Sequence, residues 1–179
     1  SMLSYRRKLE VRYQADVLVV GGGPAGIAAA LAASRQGATV RLIEAHSCLG
    51  GMGTAGMVPA FMQFTDGVNF LAGGIGQEIL DALRQMRGTV PPDGMGIRAE
   101  VLKRTYDELL TSARIPFTFH TQLVDATVKN GRISEAICAG KSGLFGIRAR
   151  IFVDCSGDGD LAAFAGAAYE KGDVHGNMM

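Results

Sequence analysis

Three glycines at one spacing, Gly21, Gly23 and Gly26, and a carboxylate further on, Glu44, are the residues whose types and order dictate chemistry in this chain. The glycines fill the G-x-G-x-x-G positions: the first lets the chain turn, the second lets backbone come against a pyrophosphate, and the third lets a helix lie close to a strand. Pro24 stands where a first-turn proline loses no hydrogen bond, and the free N–H groups that begin at Ala25 point at phosphates. Glu44 follows about 20 residues after the glycines, where an acid accepts hydrogen bonds from an adenosine ribose and argues against a 2′-phosphate. The chemistry is the grip on an ADP-containing dinucleotide, and the motif alone does not separate NAD from FAD.

The flanking pattern says which elements must hold these residues. Asp16 to Val20 is an apolar run suited to a strand buried on both faces of a parallel sheet, and Ala25 to Gln36 reads as a helix of small residues that can pack closely on it. Gly37 ends that helix as a left-handed cap, and Thr39 to Glu44 is a second buried strand. Met52 to Val68, rich in Gly and Met, suits a loop and short helix beside a ring system, or equally a plain apolar wall. An amphipathic helix follows within Gly73 to Met86, with Ile75, Ile79, Leu83 and Met86 on one face. Gly88 to Gly96, with Pro91-Pro92-Asp93-Gly94, reads as a turn-rich mobile loop. A helix from Ala99 to Ala113 turns Val101, Leu102, Tyr106, Leu109 and Leu110 inward and Glu100, Lys103, Arg104, Asp107 and Glu108 outward.

From Ile115 the period becomes that of strands. Phe117 to His120, Leu123 to Val128, the Asn130-Gly131 hairpin signal, Ile133 to Ala139 and Gly146 to Val153 predict a three-stranded antiparallel β-meander feeding back into the sheet. His120, isolated at a strand end, reads as a structural or surface residue rather than a catalyst. The meander leads to Ile151 to Gly166, a second strand, glycine turn and small-residue helix. Asp158 is expected to cap that helix, against a metal or acid/base role for the Asp158 and Asp160 pair. The fold class is α/β, a Rossmann-like domain with a central parallel sheet and the meander attached.

The 179 residues are one domain's worth of chain, with 47% apolar and 20% charged residues, enough to bury a core. A net charge of +1 and pI near 7.7 leave no basic stripe, so no nucleic-acid partner is expected. No apolar run approaches the ~20 residues that span a bilayer, so no membrane partner is expected either. Ser1-Met2 reads as a residue pair left by expression, and residues 1–13 as a polar lead without the apolar centre of a signal peptide. The domain proper is expected at residues 14–179. Cys48, Cys138 and Cys155 form no C-x-x-C and read as small hydrophobes in a reducing, cytoplasmic compartment.

After Glu44 come Ala45-His46-Ser47-Cys48-Leu49-Gly50-Gly51, and here the sequence resembles the FAD-dependent oxidoreductases of the glutathione reductase superfamily, in which a Gly-Gly pair lies along the flavin side of the dinucleotide. That resemblance selects FAD over NAD. Dithiol chemistry is not expected, because Met52 to Pro59 holds no cysteine pair. The combination of VLVVGGGPAGIAAALAASRQGA, LGGMGTAGM and VDCSGDGDLAAFAGAAYEKGD resembles the fumarate reductase-related FAD-dependent oxidoreductases. In those the late strand usually ends Asp-Ala-Thr-Gly at the dinucleotide, here Asp154-Cys155-Ser156-Gly157, and the strand before the hairpin gives adenine a backbone contact, here Leu123. The contacts so implied are Gly21, Gly23, Pro24, Ala25, Gly26, Glu44, Ala45, Gly50, Gly51, Met52, Leu123, Cys155, Ser156, Gly157 and Asp158. His46 lies toward the adenosine end and is rejected as a covalent flavin attachment.

The resemblance further implies hydride transfer between a small-molecule substrate and flavin N5. The substrate domain of such proteins is expected to be missing, or supplied by another subunit, and no catalytic side chain is identified. The competing readings are a non-catalytic FAD-binding fragment or subunit, and an NAD-dependent dehydrogenase.

Overall fold

The computed structural model describes residues 4–92 and 94–178. The expected pair Ser1-Met2, the turn residue Asp93 and the terminal Met179 lie outside the described residues. Strand β1, Val11–Val20, runs into helix α1, Pro24–Arg35, and then β2, Val40–Ile43. Helix α2, Ile75–Gln85, a two-stranded hairpin of β3, Thr89–Val90, and β4, Gly96–Ile97, and helix α3, Ala99–Ser112, come next. They are followed by β5, Phe117–Thr118, β6, Gln122–Lys129, β7, Arg132–Gly140, β8, Gly143–Asp154, and the short helix α4, Asp160–Phe164.

Six strands make one sheet in the order β5-β2-β1-β8-β7-β6. The first four are parallel; β7 joins antiparallel to β8, and β6 antiparallel to β7. The cause is visible in β1. Val17 and Val19 pack with Ile27, Leu31, Leu42 and Tyr106 on the helix-covered face, while Leu18 and Val20 pack with Ile43, Ile147 and Leu161 on the other. A strand buried on both faces must be apolar at every position, and each such aliphatic contributes about 1.5–3 kcal/mol on leaving water. On the first face the stripes of α2 (Ile79, Leu80, Leu83) and α3 (Leu102, Tyr106, Leu110) close the core.

Several sequence expectations change in the structure. The polar lead does not extend to residue 13, because Val11 to Tyr13 already belong to β1 and pair with Gly146 and Ile147 of β8. The meander and the late strand are not separate: β8 is one twelve-residue strand, antiparallel to β7 along its first half and parallel to β1 along most of its length. The Gly88 to Gly96 loop is tied into a hairpin, with Thr89 paired to Ile97 and Val90 to Gly96. Asp107, placed on the solvated face of α3, is half-buried, has an Oδ1 without a hydrogen-bond partner among the described residues, and is pushed up by desolvation. No helix of the described residues is long and apolar enough to cross a membrane.

Candidate functional site

The carboxyl ends of β8, β1 and β2 lie level, with Asp154, Val20 and Ile43 in register. The chain leaves β1 toward β2 on one side and receives β8 on the other, and this is the switch point where open α/β sheets take ligands. A cleft of about 660 Å³ opens there, lined from the glycine turn by Gly21, Gly23, Pro24 and Ala25, from the residues that follow β2 by Glu44, Ala45 and His46, and by Gly51, Met52, Leu123 and Cys155 to Asp158.

The three motif glycines are glycine for three different reasons. At Gly21, with φ +102°, a Cβ would stand 2.2 Å from the Cys155 carbonyl oxygen; at Gly26 it would stand 1.8 Å from that of Gly21. Both positions are closed by the protein itself, which fits turn and helix-strand contact. At Gly23 the nearest atom to such a Cβ is Gly51 Cα at 3.9 Å. Nothing within the chain closes this position, and the space a side chain would take lies on the cleft side, which fits the backbone approach to a pyrophosphate expected of the second glycine. Ala25 and Gly26 precede Ile27, whose N–H is the first of α1 to donate within the helix, to Gly23 O at 3.0 Å. The helix start carries no side-chain cap, which leaves the amides before Ile27 to an anion.

Glu44 is 6% exposed, and its carboxylate is held from two sides: Oε2 accepts from Gly22 N at 2.7 Å and Oε1 from His46 N at 2.7 Å. Amide donors satisfy the buried charge and fix its direction, while each oxygen keeps a lone pair for a ribose hydroxyl. Gly22, a free position in the motif, proves to be the junction of the site. Its N–H goes to Glu44, its C=O accepts from Gly50 N at 2.8 Å, and a Cβ on it would stand 2.6 Å from Leu49 Cδ2. Its only mark in the sequence is that the motif's first two glycines are joined by a glycine, making three in a row. These features fit an ADP moiety: open space at Gly23, uncapped amides and an acid aimed by the backbone.

The second turn differs in how its helix begins. Asp160 N donates to Ser156 Oγ at 2.9 Å and Ala162 N to Asp154 Oδ2 at 2.9 Å, while Ser156 N and Oγ both donate to Asp154 Oδ1. The expected cap, Asp158, caps nothing; it is exposed on the cleft rim, and Gly159 holds the cap position. Burial pushes the Asp154 carboxyl up, but the bonds from Ser156 and the amides of Ala162, Ser156 and Leu161 outweigh it and hold it below its ordinary value. Cys155 is half-buried, its thiol pushed up by burial and then by the neighbouring Asp154 charge. Cys138 fits the small-hydrophobe reading best, fully buried with its thiol pushed up to about 12. All three cysteines are free.

Of the sequence-derived contacts, Gly26 and Gly50 stand behind the cleft wall, and the other thirteen line it. His46, Ala55, Gly56, Thr121, Gln122 and Asp160 line it as well without having been singled out as contacts. Thr121 is placed by a contact that sequence does not reveal, its N–H donating to Glu44 O at 3.0 Å. No group of three or more His, Cys, Asp or Glu side chains that could hold a metal occurs among the described residues.

Among solved structures the fold recurs in a geranylgeranyl bacteriochlorophyll reductase-like protein from Thermoplasma acidophilum (17% identity, TM-score 0.61, 86% of this chain and 42% of that one). It recurs also in THI4 of Thermovibrio ammonificans (20% identity, TM-score 0.61, 84% and 61%) and in a flavocytochrome c3 fumarate reductase (20% identity, TM-score 0.55, 80% and 33%). The chain thus spans between a third and about three-fifths of these structures. Among curated proteins none matches the sequence. Residues 16–179 match the family described as FAD dependent oxidoreductase, which takes in the glycine turn, Glu44, the Gly50-Gly51 pair and the second turn alike. With nine-tenths of its length inside that match, the chain belongs to the FAD dependent oxidoreductase family, whose cofactor is FAD.

Proposed function

We propose that residues 14–179, together with the start of β1 at Val11, form the FAD-holding domain of a flavin-dependent oxidoreductase acting on a small molecule. The observation that carries this reading is the contrast at the first turn, where a Cβ on Gly21 or Gly26 meets protein and one on Gly23 meets open cleft. In this reading the amides at the start of α1 hold the pyrophosphate, Glu44 accepts from the ribose, and Leu123 backbone faces adenine. Gly51, held by Gly50 behind it, Met52 and the turn from Cys155 to Asp158 flank the flavin side. FAD, when bound, supplies the ring that takes or gives hydride at N5; this chain's own residues orient the dinucleotide and exclude water from its ADP end. The substrate-facing wall is supplied by a further domain or by another subunit. Free cysteines support a reducing compartment such as the cytoplasm.

A second reading, a non-catalytic FAD-binding subunit, is favoured by the exposed apolar side chains of the segment after Gly51, Met52, Met57, Met62 and Leu71. One set of measurements separates the readings. Thermal shifts with FAD and NAD at equal concentration should show stabilisation by FAD that grows with concentration, and stabilisation by NAD alone sinks the flavin assignment. Bleaching of the bound-flavin absorbance by an electron donor, followed by recovery over repeated cycles with an acceptor, supports the enzyme. A bound flavin that never turns over supports the subunit.

A further inference from the structure

Outside the residues that line the cleft, one buried hydroxyl is tied into the glycine turn. Thr54 is 4% exposed, and its Oγ1 donates to Leu49 O at 2.7 Å. The peptide that carries this carbonyl also carries the Gly50 N–H, which donates to Gly22 O at 2.8 Å. In a trans peptide C=O and N–H point in opposite directions, so fixing one end of the plane fixes the other. Thr54 therefore sets the rotation of the Leu49–Gly50 peptide, and that peptide is the tie between the Gly50-Gly51 pair and the glycine turn. Gly22, whose carbonyl accepts the Gly50 N–H, donates its own N–H, in the preceding peptide, to Glu44 Oε2 at 2.7 Å.

Thr54 is fitted to this place in shape as well as in polarity. Gly50 adopts φ +108°, and a Cβ on it would stand 2.5 Å from Thr54 Cγ2 and 2.7 Å from Oγ1, so the threonine fills the volume that the glycine leaves. Its own N–H returns to Gly51 O at 3.1 Å, closing a tight turn over Gly51–Gly53. On the far side of that turn Gly51 lies against Gly23, where a Cβ on Gly51 would be 3.1 Å from Gly23 Cα. Gly51 and Gly23 thus pack against each other, and both line the cleft.

We propose that Thr54 is a positioning residue for the cofactor: its hydroxyl, through the Leu49–Gly50 peptide, holds Gly51 against Gly23 and Gly22 against Glu44 at the spacing the dinucleotide requires. Thr54 acquires this role only if the cleft takes FAD as proposed above. A loss of the hydroxyl leaves a buried carbonyl at Leu49 without its donor, which the chain relieves by rotating the peptide and shifting Gly51.

The test uses flavin fluorescence quenching to titrate FAD into the full chain as wild type, T54V and T54S, with thermal unfolding of each apo protein alongside. Val keeps the volume and loses the donor; Ser keeps the donor and loses a methyl. Expected is a rise of about 10-fold or more in the FAD dissociation constant for T54V, a T54S value within about 3-fold of wild type, and an altered vibronic shape of the bound-flavin band in T54V. Wild-type affinity in T54V overturns the proposal, even if its apo form melts earlier, because that pattern is a packing role alone. If T54V does not fold, T54S decides: affinity near wild type supports the proposal and a 10-fold loss overturns it. Wild-type protein that takes up no FAD fails before any variant is compared, and so marks failure of the cofactor reading itself.

Discussion

Two neighbouring strands of this sheet, β1 and β8, end level at Val20 and Asp154, and each runs through a glycine turn into a helix, yet the two helices treat their first amides in opposite ways. The helix after β1 has no side-chain cap and holds glycine where a cap would bond, so its early donors stay open toward the cleft. The helix after β8 spends its early donors on Ser156 and Asp154. A helix start can bind an anion or be capped by its own chain, and the same donors cannot serve both. On the function proposed above, the dinucleotide's charge falls to the first turn and the second serves as a wall, so that similar strand-turn-helix spellings have different uses.

The most severe way to break the comparison is Gly26→Ala, which drives a Cβ to 1.8 Å from the Gly21 carbonyl and forces α1 off β1. A loss of about 3 kcal/mol or more, read as a fall of about 10 °C in the melting temperature, is expected. An unchanged melting temperature would mean that helix and strand are not in contact there. Gly23→Ala should sharpen the contrast by moving the damage from folding to binding. With open cleft around it, stability should stay within about 0.5 kcal/mol while FAD affinity falls about 100-fold, and unaltered FAD affinity counts against the first turn as the anion site.

At the second turn, Asp154→Asn removes the charge that receives Ala162 N and both donors of Ser156. Loss of that cap should cost about 1 kcal/mol. The Asp154 carboxyl titrates below its ordinary value of 3.8 in the folded protein, so its contribution is complete above that value and is lost as pH falls through the folded pKa. Denaturant melts of wild type and variant should therefore converge below about pH 4; a difference that persists into strong acid would show that the charge is not what matters. The smallest effect is expected of Asp158→Asn. Because Asp158 caps nothing, stability should change by less than about 0.5 kcal/mol, and a larger loss in thermal unfolding would restore it as the cap.

How much of this could be read from sequence depended on whether the cause was local. The buried run Val17 to Val20, the glycine turn, α1 with its left-handed Gly37 (φ +82°), the inner faces of α2 and α3 and the Asn130-Gly131 hairpin all carry their own period or turn chemistry, and the structure has each of them. The Gly22 junction, Thr121 N on Glu44 O and the capping by Asp154 and Ser156 were not legible in advance, since hydrogen bonds between distant segments leave no periodic mark. Asp158 was a reasonable cap by position alone, but two residues upstream already reached the same amides. Nor could spacing show that β8 is continuous, because a strand that changes partner keeps the same alternation before and after the change.

That continuity has a bearing on time. The turn that would receive the pyrophosphate is written in the first 26 residues, yet its floor, the Cys155 carbonyl under Gly21, lies 134 residues downstream and arrives only with the last part of β8. During synthesis the first glycines emerge long before they can take their native shape, and closing so long a loop precedes any gain from the β1–β8 pairing. The nucleotide grip, first in the sequence, is thus among the last features that a growing chain can complete, and a nascent protein arrested short of Asp154 should hold no dinucleotide.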